Sequence, residues 1–461
     1  MFSITRRLLL LSSALAAAAL AGACATSAPE SGATRPPIVF VHGNGDTAAL
    51  WITTIWRFES NGWPRDRLHA IDVPYPLARD DDAKPQPGRT STAENRAWLA
   101  AEVEKVRAAS GAGQVVLIGN SRGGNAIRDY VAHGGAANVS QVVLGGTPNH
   151  GVWAEAERLP GNEFNGAGPF LTGLNAPKGP QGLEVEPGIR WMTVRSDAND
   201  KFAQPDGAWI GRRGTPTHVT FEGPALKGAE NVVLAGVDHR ETSFGPQAFD
   251  AAWRFLTGQA PTTLAIVPEA RVVLDGKVSG LGLDNAQGSF PSNLPLVGAT
   301  VEVYRTDPAT GARLGAAQHR KTIAADGRWG PFTADPKAAY EFVVAAPGYA
   351  VTHLYRSPFP RSSEIVNLRA ERIADADKAA AAIVVLTRPR GYFGVPRDRI
   401  DLDGKSPPAG IPPGVAGVST AKIKPEGPPG RAVVGEFNGE RIVGRTWPAA
   451  DNQTTTLELL Y

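Results

Sequence analysis

The sequence predicts an α/β fold built on a mostly parallel sheet, followed by an all-β region of the β-sandwich type. Three observations carry this. Between residues 36 and 260, short apolar runs alternate with longer helix-compatible stretches, the rhythm of a parallel sheet covered on both faces. Within that region, residues 114–130 (QVVLIGNSRGGNAIRDY) pass from a buried-strand run through a glycine-rich turn into a helix. After Gly258-Gln259-Ala260-Pro261 the composition shifts, and strand alternation with turn signals replaces the helical pattern. A length of 461 residues is expected to hold two or three domains.

The chain opens on a leader. Residues 1–25 carry Arg6-Arg7, an apolar run over 8–20 and then small residues, the layout of a secretory signal. The run is too short and too rich in alanine to favour a permanent membrane span. Thr5-Arg6-Arg7 before leucines resembles a twin-arginine signal. Ala21-Gly22-Ala23-Cys24 resembles a lipoprotein box. Cleavage before Cys24 would leave a lipid anchor there; cleavage after Ala23 or Ala25 would release the protein. Both place the mature chain outside the cytoplasm, as a periplasmic, outer-membrane lipoprotein or secreted species, with 26–36 as a linker.

Bulk composition narrows the class. Apolar residues make up 42% and charged residues 20%, as in soluble globular domains. With 47 Lys+Arg against 45 Asp+Glu the formal charge is only +2, so nothing favours a nucleic-acid partner. One cysteine excludes an internal disulfide. The 52 glycines and 38 prolines suit many turns and a β-rich portion.

The first domain is expected over 37–260. Residues 37–41 (PIVFV) read as a buried strand, with His42-Gly43-Asn44-Gly45 at its end. Residues 48–58 read as a core-packing helix, whose Trp51 and Trp56 are alternatives for a pocket mouth. A strand over 68–73 follows. Asp80-Asp81-Asp82 reads as a solvated loop; a calcium site there would have few supporting ligands. An amphipathic helix spans 92–109, and the elbow strand, 115–118, comes next. Further strands are expected at 141–144, 189–195 and 231–237, and a last helix over 246–256. The stretch from 149 to about 188 lacks a clear period. A loop so long inside a compact domain is usually functional. We read it as a cap or lid whose Trp153, Phe164 and Phe170 meet substrate, with a simple packed insertion as the alternative.

The chemistry centres on Gly119-Asn120-Ser121-Arg122-Gly123. A G-x-S-x-G pentapeptide between a buried strand and a helix has the form of a nucleophile elbow. The serine stands on a sharp turn, so its neighbours must be small, and the helix behind it turns free N–H groups towards the site. An oxyanion there would be met by the Arg122 N–H and, from the loop after the first strand, by the Asn44 N–H; losing one such donor typically costs ~3 kcal/mol. His42 reads as a brace for that loop. The acid must follow a strand between the serine and the histidine. Asp200 is favoured in the loop Ser196–Pro205, with Asp197 as fallback. His239 follows the last strand, in Gly236-Val237-Asp238-His239. Of the eight histidines in the chain, His69, His133, His150 and His218 are the alternatives in this domain, but none follows a terminal strand in the correct order.

With these motifs in view, the chain resembles bacterial α/β-hydrolases of the class 2 triacylglycerol lipase and esterase type. The resemblance rests on HGNG, GNSRGG, GGTPNHG, SDAND and GVDH. It covers about residues 37–257, somewhat under half the chain. It implies the α/β-hydrolase fold, carboxylic ester hydrolysis without a cofactor or metal, and Ser121, Asp200 and His239 as the triad. Asn120 and Arg122 depart from the Met, Gln or His more common beside the serine. Arg122 is expected to put a charged side chain near the site, which opens the substrate class to short-chain, aromatic and polymeric esters. An amidase, a transacylase or a binding protein on the same scaffold are the competing functions.

Residues 261–372 read as a β-sandwich module, similar to transthyretin-like or carboxypeptidase-regulatory domains. Residues 373–461, with a Pro/Gly-rich stretch at 407–429, read as a second β module or an extension of the first. No catalytic constellation stands out here, and His319 and His353 read as surface or core residues. Substrate binding, surface binding and simple stabilisation are all open for this region.

Overall fold

The computed structural model describes residues 35–210, 213–280 and 292–461. The leader, with Cys24, therefore lies outside the described residues. Among the described residues six strands form the first sheet: β1 (Ile38–Val41), β2 (Leu68–Ile71), β3 (Val115–Asn120), β4 (Val139–Gly145), β5 (Arg190–Ser196) and β6 (Glu230–Leu234). Their spatial order is β2-β1-β3-β4-β5-β6, and each neighbouring pair is parallel. The chain steps outward from β1 to β2, then returns past β1 to build the other side. The point of reversal lies between β1 and β3, whose carboxyl ends meet at Val41 opposite Gly119. Open α/β sheets bind ligands at such a switch point.

The inner strands β1 and β3 read as continuous apolar runs because both faces are covered. Alternate residues point to opposite sides. Val39, Val41, Leu117 and Leu144 pack on one face with Leu99 and Val103 of α2 (Thr92–Ser110) and Ile127 of α3 (Arg122–Tyr130). Ile38, Phe40, Val116 and Ile118 pack on the other with Trp51, Phe58 of α1 (Ile52–Ser60), and Phe249 and Trp253 of the last helix of the domain, Pro246–Thr257. Burying each such side chain contributes about 1.5–3 kcal/mol. Helix α2 begins where Ser91 and Glu94 form a reciprocal capping box and stops at Gly111, whose φ is 66°. Trp51 and Trp56 do not reach a pocket mouth: Trp51 is sealed in the sheet core, and Trp56 packs beneath the β region with its indole N–H on the Ser362 carbonyl at 2.8 Å.

The segment 149–188 holds one short helix, α4 (Pro169–Leu174), among turns. The triple aspartate serves the chain around it: Asp82 accepts from the Thr92 N–H at 2.7 Å, Asp81 pairs with Lys84, and Asp80 bonds Gln86.

Beyond residue 260 the described residues form a seven-stranded mixed sheet and smaller ones. The large sheet contains β7 (Thr300–Thr306), β8 (His319–Thr322), β9 (Ala339–Ala345), β10 (Val351–Arg356), β11 (Val384–Thr387), β12 (Thr420–Ile423) and β13 (Gln453–Glu458). Its order is β8-β7-β9-β10-β13-β11-β12, so strands from before and after residue 373 share one sheet. The C-terminal strand β13 joins the halves, running parallel to both β10 and β11. Ile52 and Trp56 of α1 enter the core of this region beside Val272, Trp329 and Phe342, and residues Pro36–Tyr461 make one compact unit.

Candidate active site

Ser121 lies between β3 and α3 with φ 52° and ψ −121°, a conformation that costs a non-glycine residue energy and is held only by its surroundings. The surroundings are backbone. The Ser121 N–H donates to the Gly145 carbonyl at 2.9 Å, and the Ser121 carbonyl accepts from Gly124. Two glycines permit the approach. A Cβ on Gly123 would stand 2.4 Å from the Val41 carbonyl oxygen, and one on Gly124 would stand 1.9 Å from Thr147 Oγ1. The first N–H groups of α3 have no intrahelical acceptor and carry the positive end of its dipole.

The loop after β1 closes on the same point. A Cβ on Gly43 would come within 3.1 Å of the Ser121 Cβ. His42, buried, ties the loop to the end of β2: its Nε2 accepts from the Val73 N–H at 3.0 Å, which leaves Nδ1–H to donate to the Gly43 carbonyl at 2.9 Å. Burial holds the His42 imidazole below its ordinary pKa, so it stays neutral as this bonding requires. Asn44 lines the cavity above Ser121, and its side-chain oxygen accepts from the Ala78 N–H at 2.8 Å.

His239 and Asp200 meet across the ends of β6 and β5. His239 Nδ1 lies 2.9 and 2.8 Å from the two Asp200 oxygens, with both residues buried. The Phe202 N–H donates to Asp200 Oδ1 at 2.8 Å, and the Phe202 ring stands edge-on to the imidazole at 4.7 Å. Asp197 is turned outward, where it accepts from Ser196 Oγ and the N–H groups of Ala198 and Gly236. His150 and His353 also touch carboxylates, Glu184 and Glu341, but neither lines the Ser121 cavity. A carboxylate on Nδ1 fixes the tautomer that leaves Nε2 able to accept a proton.

Ser121, His239 and Asn44 open on one cavity of about 290 Å³. Trp153, Phe164, Phe202, Trp209 and Tyr392 give it five aromatic rings. Phe170 is not in its wall: it lies on α4, whose buried face is Leu171 and Leu174, and the helical turn carries Phe170 away. Arg122 corrects a second expectation. Its guanidinium does not face the site but is buried beneath it, paired with Glu163 and bonded to the carbonyls of Pro76 and Thr90. Burial pushes the Glu163 carboxyl up, and Arg122 opposes it.

Charge in and behind the cavity wall comes from residues that no sequence motif singles out. Arg240 pairs with Asp46 at 2.9 Å and lies over the Tyr392 ring. Lys201 stacks its ammonium 3.9 Å from the Tyr392 centroid; burial and Arg240 bring its pKa down to about 8. Asp238 is wholly buried. Burial alone would raise it, but Arg388, Arg397 and the N–H groups of Tyr392 and Glu241 outweigh that and hold it below the usual carboxylate range. An aspartate directly before the histidine was the available signal for this network. Nothing near it in sequence announces Tyr392.

A family profile described as alpha/beta hydrolase fold matches residues 36–178, and one described as lipase C-terminal domain matches residues 270–373. Among solved structures the chain is similar to the lipase BlEst2 of Bacillus licheniformis in mature form, at 23% identity over 49% of this chain and 94% of that one, with a TM-score of 0.34. The propeptide form of that lipase matches at 16% identity over 68% of this chain and 90% of that one, with a TM-score of 0.35. Carboxylesterase CesB of Bacillus subtilis matches at 14% identity over 50% and 86%, with a TM-score of 0.28. Comparison with curated proteins gave no match. The chain thus has an α/β-hydrolase fold followed by a β-rich region that matches the lipase C-terminal domain profile over residues 270–373.

Proposed function

We propose that this protein is an exported serine carboxylester hydrolase. The observation that carries the reading is the Asp200–His239 pair opening on the cavity that holds Ser121 in its strained turn. Ser121 Oγ attacks the ester carbonyl as His239 Nε2 takes its proton. The oxyanion is met by the Arg122 and Asn44 N–H groups. His239 then gives the proton to the leaving alkoxide, and the alcohol departs from the acyl-enzyme. Water, deprotonated by His239, attacks the acyl carbonyl; Ser121 recovers the proton and the acid is released. Asp200 holds the imidazole in place and stabilises its charged form.

The cavity selects a compact substrate. Its volume of about 290 Å³ is at the low end of small-molecule sites, which run from ~300 to 1,000 Å³. Its aromatic wall suits a short acyl chain or an aromatic ring. Ser121→Ala is expected to lower p-nitrophenyl butyrate turnover at least a thousandfold with unchanged circular dichroism. Retained turnover would remove the proposal. The leader supports export: an acylated N-terminus at Cys24 would identify a lipoprotein, one just after Ala23 or Ala25 a released protein, and an intact Met1 in the mature chain would overturn export.

A further inference from the structure

The loop that carries His239 is held from outside its own sheet. Asp238 and Glu241 flank the histidine, and both carboxylates converge on Arg388, one residue beyond β11 in the C-terminal region. Arg388 Nη1 lies 2.7 Å from Asp238 Oδ2, and Nη2 lies 2.5 Å from Glu241 Oε1. The Arg388 side chain is only 4% exposed and that of Asp238 not at all. The Tyr392 N–H donates to the same Asp238 oxygen at 2.8 Å, and Arg397 takes the other Glu241 oxygen at 2.7 Å. Asp238 Oδ1 faces the opposite way, accepting the N–H groups of Arg240 and Glu241 at 2.8 and 2.9 Å. One carboxylate thus joins the guanidinium to the backbone just after His239. The same region grips the acid loop. The Ala416 N–H donates to Asn199 Oδ1 at 3.0 Å, and Lys201 Nζ donates to the Gly417 carbonyl at 2.8 Å.

We propose that Arg388 is a positioning residue: acting through Asp238 and Glu241, it sets the His239 imidazole between Asp200 and Ser121. The C-terminal region is on this account part of the catalytic apparatus. The proposal rests on the hydrolase reading above. The geometry argues for alignment because the clamped carboxylates sit directly beside the base, whereas Tyr392 of the cavity wall is held by the clamp through its backbone N–H and carbonyl and not through its ring. A misplacement of ~1 Å costs about a hundredfold in rate. A planar fork can hold two carboxylates at once, which a lysine ammonium cannot reproduce.

The test uses the full chain and p-nitrophenyl butyrate. Arg388→Ala is expected to lower kcat 10- to 100-fold with KM within twofold, and Arg388→Lys to recover only part of the loss. Guanidinium chloride at low, non-denaturing concentration is expected to restore part of the Arg388→Ala rate and none of the His239→Ala rate. The proposal is overturned if Arg388→Ala keeps kcat within twofold of the parent. It is overturned equally if activity falls only in step with the folded fraction and guanidinium restores nothing. Should Arg388→Ala fail to fold, Glu241→Gln, which keeps Asp238 on the clamp, is expected to lower kcat three- to tenfold at constant KM; an unchanged kcat overturns the proposal. Fluorophosphonate labelling separates the two claims. A parent protein that does not label at Ser121 sinks the hydrolase reading and the positioning role with it. A labelled parent with an unimpaired Arg388→Ala variant sinks the positioning role alone.

Discussion

Arg122, the residue after Ser121, and Glu163, in the segment 149–188, form a two-pronged ion pair with both contacts at 2.8 Å and side chains 2% and 3% exposed. The pair fastens the segment over the cavity to the helix behind the nucleophile. Removing one partner of a buried pair leaves the other charged and unpaired, which costs about 3–5 kcal/mol, whereas replacing both by apolar groups is often neutral. Arg122→Met is therefore expected to lower the thermal midpoint by several degrees or more. Arg122→Met with Glu163→Leu is expected to recover most of that loss. Equal midpoints for the single and double variants, read by differential scanning fluorimetry, would contradict a mutually dependent pair.

Asp197 and Asp200 offer a direct comparison. Both follow β5, but only Asp200 reaches the imidazole, while Asp197 caps its own loop. In the proposed mechanism Asp200→Asn disturbs the histidine tautomer and lowers kcat by roughly three to four orders of magnitude. Asp197→Asn is expected to keep kcat within about threefold and to lose only a little stability from its loop bonds. A steady-state comparison of the two variants on one ester decides between the carboxylates.

These two aspartates also show how far the sequence reaches. The sheet was legible because buried parallel strands are continuous apolar runs. The elbow was legible because only small residues fit against the Val41 carbonyl and Thr147. Chain order pointed to Asp200 and His239, but it could not separate Asp200 from Asp197, since the choice depends on which way one turn directs each carboxylate. Arg122 was misplaced for a related reason: a charged residue beside a nucleophile looks like part of the site until its partner, 41 positions on, is known. Tyr392 and Arg388 were beyond reach. Arg388 meets Asp238 across 150 residues, and no local period encodes a contact between two separate sheets.

Phe164 and Phe170 lie six residues apart, yet only Phe164 lines the cavity. Phe164→Ala is expected to enlarge the cavity and shift the preferred acyl chain to greater length. It should also raise KM for p-nitrophenyl butyrate about three- to tenfold, since a lost aromatic contact is worth ~1 kcal/mol. Phe170→Ala is expected to leave kcat/KM within twofold across the chain-length series. A larger effect at Phe170 than at Phe164 would mean that the cavity wall runs along α4.

Glu371 lines a cavity of about 240 Å³ between the first sheet's loops and the C-terminal region. Burial pushes its carboxyl up from 4.5 to about 7, with Arg369 opposing and Glu458 adding to the shift. The unfolded chain gives up this proton at lower pH than the folded one. The stabilisation is therefore complete below about pH 4.5 and is lost as pH rises through 7, a change of roughly 1–3 kcal/mol after allowing for water at the carboxyl. Glu371→Gln keeps the shape and removes the titration. It is expected to match the parent in thermal midpoint near pH 4.5 and to exceed it at pH 8. Parallel pH–stability curves for the two proteins would show that this carboxyl titrates alike in the folded and unfolded chains.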